Sequence, residues 1–464
     1  MKIRFLRVWD QIRTSYWFIP SLMTFVAVLL AFGVTAFDTR LGSEWLERIS
    51  WLQANQPEGA RSLLSTVAGS MLGVAGVTFS ITMVAMVMAS SQFGPRLLAN
   101  FMRDRGNQTT LGIFLATSVY CLLVLRTVRS PGTAVDPTDA SAFVPHLAIL
   151  LAMVLAVVSL GAFIFFIHHA PESINVSNVI AEVGASFRDQ VHRLHPEELG
   201  EDGGEPGPEE LGPGEFGRDA VPIEADGTGY IQAVESDALL MLAVEQDLFL
   251  RVVYRPGDFV SPGKALAYAA PADRVEDSTH ARVRGAFAWG RARTRTMDLL
   301  YLPDQLVELA ARALSPGVND PRSAMACLDW LGVGLIELGR RRTPDPVRVD
   351  EEGRPRVLTH GVDFEGAMDA IFDPLRPYVS TDRNATGRAF KVLGEIASSV
   401  RAPDRRNCVQ VHADAFLTAV RLHQSDPRDL DRAAAMHDTV VDICRGDGEP
   451  HDLAAKLVWL GGSG

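Results

Sequence analysis

Cysteine is scarce in this sequence: Cys121, Cys327, Cys408 and Cys444 are the four in 464 residues. No two stand at CxxC spacing, which excludes a zinc ribbon and a thioredoxin-type redox motif. A disulfide framework is not expected either. Lysine is equally rare, limited to Lys2, Lys264, Lys391 and Lys456. The other basic residues are arginine, a bias of coding composition and not a functional signal. The chain has no HExxH, no nucleophile elbow and no GxGxxG, and its 11 histidines are scattered. No enzyme class is indicated, and no metal or cofactor is expected. The net charge of −12 argues against a nucleic-acid partner.

Charge is also missing from four long apolar runs, at residues 17–37, 63–89, 110–128 and 143–167, where only Arg126 near the end of the third intrudes. Each reaches the roughly 20 residues that span a bilayer, so residues 17–170 are expected to form a four-helix transmembrane domain. Val34-Thr35-Ala36 would pass as a leader cleavage site, but the first run is longer than a secretory core of about 7–15 residues. No Asp, Glu or Lys lies deep in any span, which counts against proton-coupled transport.

Arginine and lysine in the loops set orientation. Lys2, Arg4, Arg7 and Arg13 precede the first span, and Arg96, Arg103 and Arg105 follow the second. Both termini are therefore expected on the cytoplasmic face of a bacterial inner membrane. Residues 1–16 carry Ile3, Leu6 and Trp9 at helical spacing beside arginines, the pattern of an interfacial basic helix.

The second span is the most informative. Ser62, Thr66, Gly69, Gly73, Gly76 and Ser80 recur at spacings of 4, 3, 4, 3 and 4, which places them on one helix face. Small residues let membrane helices approach closely; the same face suits a pore lining, where small polar side chains leave room for water and ions. The two readings converge if second spans from several subunits meet on one axis, so a homo-oligomer is expected.

Beyond the membrane domain the expected fold is α+β. Residues 171–195 keep a helical period through Val176, Val179, Ile180, Val183, Phe187 and Val191, an amphipathic helix leaving the membrane at His168 and His169. Residues 196–220 are an acidic Gly/Pro-rich linker. Residues 221–280 form a β-rich module with strand runs YIQAV, LLMLAV and LFLRVVY. Its GDFVSPGKAL run resembles barrel-sandwich modules of lipoyl and biotinyl type, without their modified lysine: Lys264 lies in a turn. Residues 281–464 are mainly helical, with one β-hairpin flanking Glu351-Glu352-Gly353 and helices at 303–314, 321–339, 364–375, 384–399, 407–424, 430–444 and 452–460.

In this region Arg291, Arg293 and Arg295 precede a helix, and the loop Ser315-Pro316-Gly317-Val318-Asn319-Asp320 precedes another. Two accounts are open. Asn319 or Asp320 caps the following helix with Pro321 in its first turn. Alternatively, the arginines with Ser315, Asn319 and Asp320 form a recognition site for a cytoplasmic protein or a small anionic ligand.

SSQFGPRLL after the second span, GTGYIQAV at the start of the β module and ALSPGVNDPRSA in the helical region resemble a family of bacterial predicted membrane proteins catalogued as a domain of unknown function. The resemblance implies a multi-pass inner-membrane protein and brings no activity or cofactor. Two functions stand against each other: an oligomeric channel- or pore-like protein regulated by its cytoplasmic domain, and a membrane-anchored signalling or scaffolding protein.

Overall fold

In hydrocarbon a chain can satisfy its backbone polar groups only internally, so long uncharged segments become helices. In a computed structural model that describes residues 16–41, 57–93, 104–129, 143–173, 175–195 and 219–456, four such helices are present: α1 (Phe18–Leu41), α2 (Pro57–Phe93), α3 (Arg105–Leu125) and α4 (His146–Ser173). The basic segment 1–15, Arg96 and Arg103, and the linker up to residue 218 lie outside the described residues. The chain divides into two compact units, Met1–Asn178 and Val179–Gly464.

In the first unit α3 is the central helix and packs against α1, α2 and α4. Of its most apolar stretch 56% is buried, against 17%, 17% and 22% for α1, α2 and α4. Its side chains bond across the bundle. Ser118 Oγ donates to the carbonyl of Ala68 (2.9 Å), Thr117 meets Ser159 (3.0 Å) and Tyr120 donates to the carbonyl of Ala148 (3.0 Å).

The helix ends are tied in two groups. At one end Asp38 accepts from the amides of Leu147 and Ala148, and Arg61 donates to the carbonyl of Val128 (3.0 Å). At the other, Asp104 accepts from Gly106 N and meets His169 Nε2 at 2.8 Å. These contacts give an up-down-up-down bundle, with residues 16 and 173 at the same end. The helices extend beyond the apolar runs; α2, with 37 residues, is about 55 Å long against a hydrocarbon thickness of about 30 Å.

The helix expected from 171 to 194 is interrupted. α4 ends at Ser173, Asn175 Oδ1 accepts from Ser177 N, and α5 (Val176–Leu194) starts anew. The predicted apolar face of α5 is buried in the second unit at Val179, Ile180, Val183, Phe187 and Val191. Close approach depends on two glycines: a Cβ at Gly184 would stand 2.6 Å from Trp330, and one at Gly334 would stand 2.1 Å from Phe187.

Strands β1 (Val221–Glu224), β2 (Gly229–Val234), β3 (Phe249–Val252), β4 (Phe259–Val260), β5 (Ala265–Ala270), β6 (Phe287–Gly290), β7 (Val347–Val349) and β8 (Pro355–Leu358) form two sheets, ordered β1-β5-β3-β8-β7 and β4-β2-β6. The predicted hairpin is β7–β8, but it belongs with the β module, because β8 pairs parallel with β3 at Leu250 and Val357. Gly257 and Gly263 adopt φ of +103° and +77° in the turns around β4, conformations that favour glycine.

LLMLAV is not a strand. It lies in α6 (Ser236–Glu245), with Leu239, Leu242 and Ala243 buried and Met241 exposed. The run has no period-2 polarity, and leucine, methionine and alanine are strong helix formers.

α7 (Asp277–Gly285), α8 (Tyr301–Ala313), α9 (Pro321–Gly339), α10 (Phe364–Val379), α11 (Arg383–Ser399), α12 (Pro403–His423), α13 (Pro427–Arg445) and α14 (His451–Lys456) follow. Phe372, Phe390 and Phe416 meet in the core of the helical part. α10 runs past the predicted end at 375, through Pro374 and Pro377, and buries Leu375 and Val379.

A charge network around the buried side chains of Asp350 and Arg356 fastens the hairpin. Asp350 accepts from Arg356 Nε (2.8 Å), Arg354 Nε (2.9 Å) and the Arg354 amide (2.8 Å), while Arg356 Nη1 reaches Asp247 (2.7 Å). Burial pushes the Asp350 carboxyl up, but the bonds from Arg356 and Arg354 outweigh it and hold the group down to about 2. A carboxylate depressed in the folded state stabilises fully above its unfolded pKa of about 3.9 and loses that contribution as pH falls toward the folded value. Melting at a series of pH values is therefore expected to show the stability gap between wild type and Asp350→Asn closing between about pH 4 and pH 2.

Candidate functional site

The six small residues of α2 lie together on the side of the helix away from α3. Ala60, Leu64, Ala68, Ala75, Thr78 and Thr82 form the buried side. Ser62, Thr66, Gly69, Gly73, Gly76 and Ser80 are all exposed. A Cβ added at Gly69, Gly73 or Gly76 meets nothing within 4 Å. Ser80 Oγ donates to the carbonyl of Gly76 (2.9 Å), which satisfies the hydroxyl along its own helix. Leu72, Val77 and Ile81 border the stripe and are exposed too. No described helix of the same subunit fills this face.

The second candidate site divides into separate tasks. Arg293 is committed to two acids: Nε and Nη2 donate to Asp298 (2.6 and 3.0 Å), and Nη1 to Asp304. Burial opposes the guanidinium charge, and Asp298 with Asp304 raises its pKa nonetheless. The Asp298 carboxylate is only 4% exposed and also accepts from Leu300 N. It occupies the space beside Gly257, where a Cβ would lie 2.6 Å from Oδ2. Arg291 and Arg295 are exposed. The carbonyl of Arg295 accepts from Gln190 (2.8 Å) and Arg193 (3.3 Å), which ties this segment to α5.

The loop between α8 and α9 closes on itself. Ser315 Oγ donates to the Arg312 carbonyl, the Asn319 amide to Ser315 O (2.9 Å) and the Asp320 amide to Ala313 O (2.8 Å). Asn319 takes φ +51°, the left-handed region that asparagine tolerates best after glycine. Asp320 is the N-cap of α9 and accepts from Ser323 N (3.2 Å), with Pro321 in the first turn. The bonds of Arg293 and those of the loop go to different partners. Asp320→Ala is accordingly expected to cost about 1 kcal/mol in a thermal melt, the usual value of an N-cap, whereas Asn319→Gly is expected to be nearly neutral.

Sequence reasoning passed over one group. Asp369 and Asp373 of α10 face His412 of α12, and one donor atom from each lies within 4.8 Å of the other two. An i, i+4 carboxylate pair is visible in the sequence, but the histidine stands 39 positions beyond the second aspartate, so spacing gives no sign of it. Cys327, Cys408 and Cys444 are buried, and burial pushes their thiols up, which leaves them unreactive.

Uncharacterized protein Rv1290c of Mycobacterium tuberculosis and Uncharacterized protein Mb1321c of Mycobacterium bovis are each 30% identical to this chain over 425 residues, covering 90% of it and 79% of their own length. No solved structure matches. The family described as Predicted membrane protein (DUF2254) matches residues 13–395. That stretch takes in all four apolar helices, the β module and the Ser315–Asp320 loop, and on this basis the chain belongs to that family.

Proposed function

We propose that the protein is a homo-oligomeric, channel- or pore-like protein of the bacterial inner membrane, in which α2 helices of several subunits meet through their small-residue faces. The second unit lies on the cytoplasmic side and regulates the assembly. The observation that carries this is the open stripe on α2: six small residues in register, with space beside every glycine. A helix face this smooth gives close backbone contact to a like face, and its hydroxyls at Ser62, Thr66 and Ser80 offer a polar lining where the faces diverge. The positive-inside bias supports the cytoplasmic placement of both termini.

Single cysteines at Gly69 and Gly76 test the assembly, with Leu64→Cys on the buried face as control. Oxidative cross-linking between subunits from the first two and not from the third is the expected result. Absence of cross-links at both overturns the oligomer. Gly73→Cys and Ser80→Cys, both deep in the apolar run 63–89, then separate the two functions, since a membrane-impermeant thiol reagent reaches them in a water-filled pore. Protection in a cross-linked oligomer leaves the signalling or scaffolding reading in place of the pore.

A further inference from the structure

Asp369, Asp373 and His412 of the helical part form a cluster. His412 is 3% exposed, and its Nε2 lies 3.1 Å from Asp369 Oδ1. Its Nδ1 is buried and has no hydrogen-bond partner. That nitrogen faces Asp373 Oδ1 at 3.9 Å, too far for a hydrogen bond. A buried nitrogen left without a partner costs about 1–3 kcal/mol, and here it points at a carboxylate. The ring lies against Phe372, with centroids 5.7 Å apart. Asp369 and Asp373 sit one helical turn apart on α10, and their side chains are 59% and 54% exposed, open to an ion from solvent.

We propose that Asp369, Asp373 and His412 form a binding site for a divalent transition-metal ion of the zinc class. One imidazole and two carboxylates make a mixed N/O set. Imidazole favours zinc and its neighbours over magnesium and calcium, which take oxygen ligands. Three protein ligands leave at least one position for water, the pattern of an exchangeable site and not of a closed structural one. An ion bound at Nδ1, with bonds of about 2.0–2.2 Å, has Asp373 beside it, and the exposed Asp369 carboxylate turns from Nε2 to reach it, one donor atom of each residue lying within 4.8 Å of the other two. Burial holds the imidazole below its ordinary pKa, against the pull of Asp369 and Asp373. The cation now beside the cluster is Arg376, which pairs with Asp373. A metal competes with that guanidinium.

The competition gives the test its signature. The full chain in detergent, stripped with chelator, is titrated with Zn²⁺ by calorimetry and with Co²⁺ by visible absorption. One saturable site per chain is expected for both ions, with no matching site for Mg²⁺. Asp369→Asn and Asp373→Asn, both at exposed positions, are each expected to weaken binding at least about tenfold, the scale of loss seen even for outer-shell partners. Arg376→Gln, which removes the competing cation, is expected to tighten it. His412→Asn is expected to abolish the Co²⁺ spectrum; should that variant fail to fold, the aspartate variants decide. Zinc binding undiminished in the Asp369→Asn/Asp373→Asn double variant, or no saturable binding by wild type, overturns the proposal.

Discussion

Gly73→Leu and Gly76→Leu are expected to leave the four-helix bundle folded and to abolish self-association. In the bundle a side chain at either position projects into open space, so nothing within the subunit resists it. In the proposed assembly the same side chain stands between two backbones that small residues allow to touch, and it forces them apart. Gly112→Leu is the contrast: a Cβ there lies 2.6 Å from Met23 Sδ and 3.3 Å from Pro20 Cα, so bulk separates α3 from α1 and the subunit itself is destabilised, by about 1–3 kcal/mol or more. Size-exclusion chromatography with light scattering, beside a thermal melt, distinguishes the two. Oligomers of wild-type size in both Gly73→Leu and Gly76→Leu would remove the stripe from the interface.

Arg293→Ala is expected to destabilise the second unit by about 3–5 kcal/mol, the cost of leaving a buried carboxylate without its partner. The stranded group is Asp298, 4% exposed and wedged beside Gly257. Since domains are stable by only about 5–15 kcal/mol, the loss is a large share of the whole, and a melting shift of roughly 10 °C follows for a unit of this size. Arg293→Lys is expected to recover only part, because an ammonium cannot reproduce the two-pronged contact with Asp298. If Arg293→Ala melts like wild type, the Asp298 pair is dispensable and the recognition role expected from the sequence regains its place. Arg291 and Arg295 are both exposed.

The sequence made local features legible and concealed those that depend on distant segments. The four spans, α9 at 321–339 and the β7 strand at 347–349 fall where length, periodicity and turn residues put them. LLMLAV of α6 is apolar at every position, so its period does not tell helix from strand. The parallel pairing of β8 with β3 joins residues about a hundred positions apart, and no local pattern encodes it. For the α2 stripe, spacing gave the face, but only packing shows that α3 takes the opposite side. For Arg293 the partner Asp298 stands five residues away in plain view; a run of three arginines suggested a cationic surface and hid the ion pair. The His412 cluster needed α10 and α12 to be brought side by side.

The central position of α3 bears on how the protein is made. It is the least apolar of the four spans, and it carries Thr110, Thr117, Ser118 and Tyr120 on surfaces that its neighbours bury. Alone in lipid, those hydroxyls would have only their own backbone to bond. During synthesis α1 and α2 leave the ribosome first, and α2 already offers the Ala68 carbonyl that Ser118 uses. α4, the most apolar span, emerges last and covers Thr117 and Tyr120 through Ser159 and Ala148. The chain order thus supplies a half-built cradle to the least apolar of the four spans, so the hydroxyls of α3 meet their partners in the order in which the helices are made.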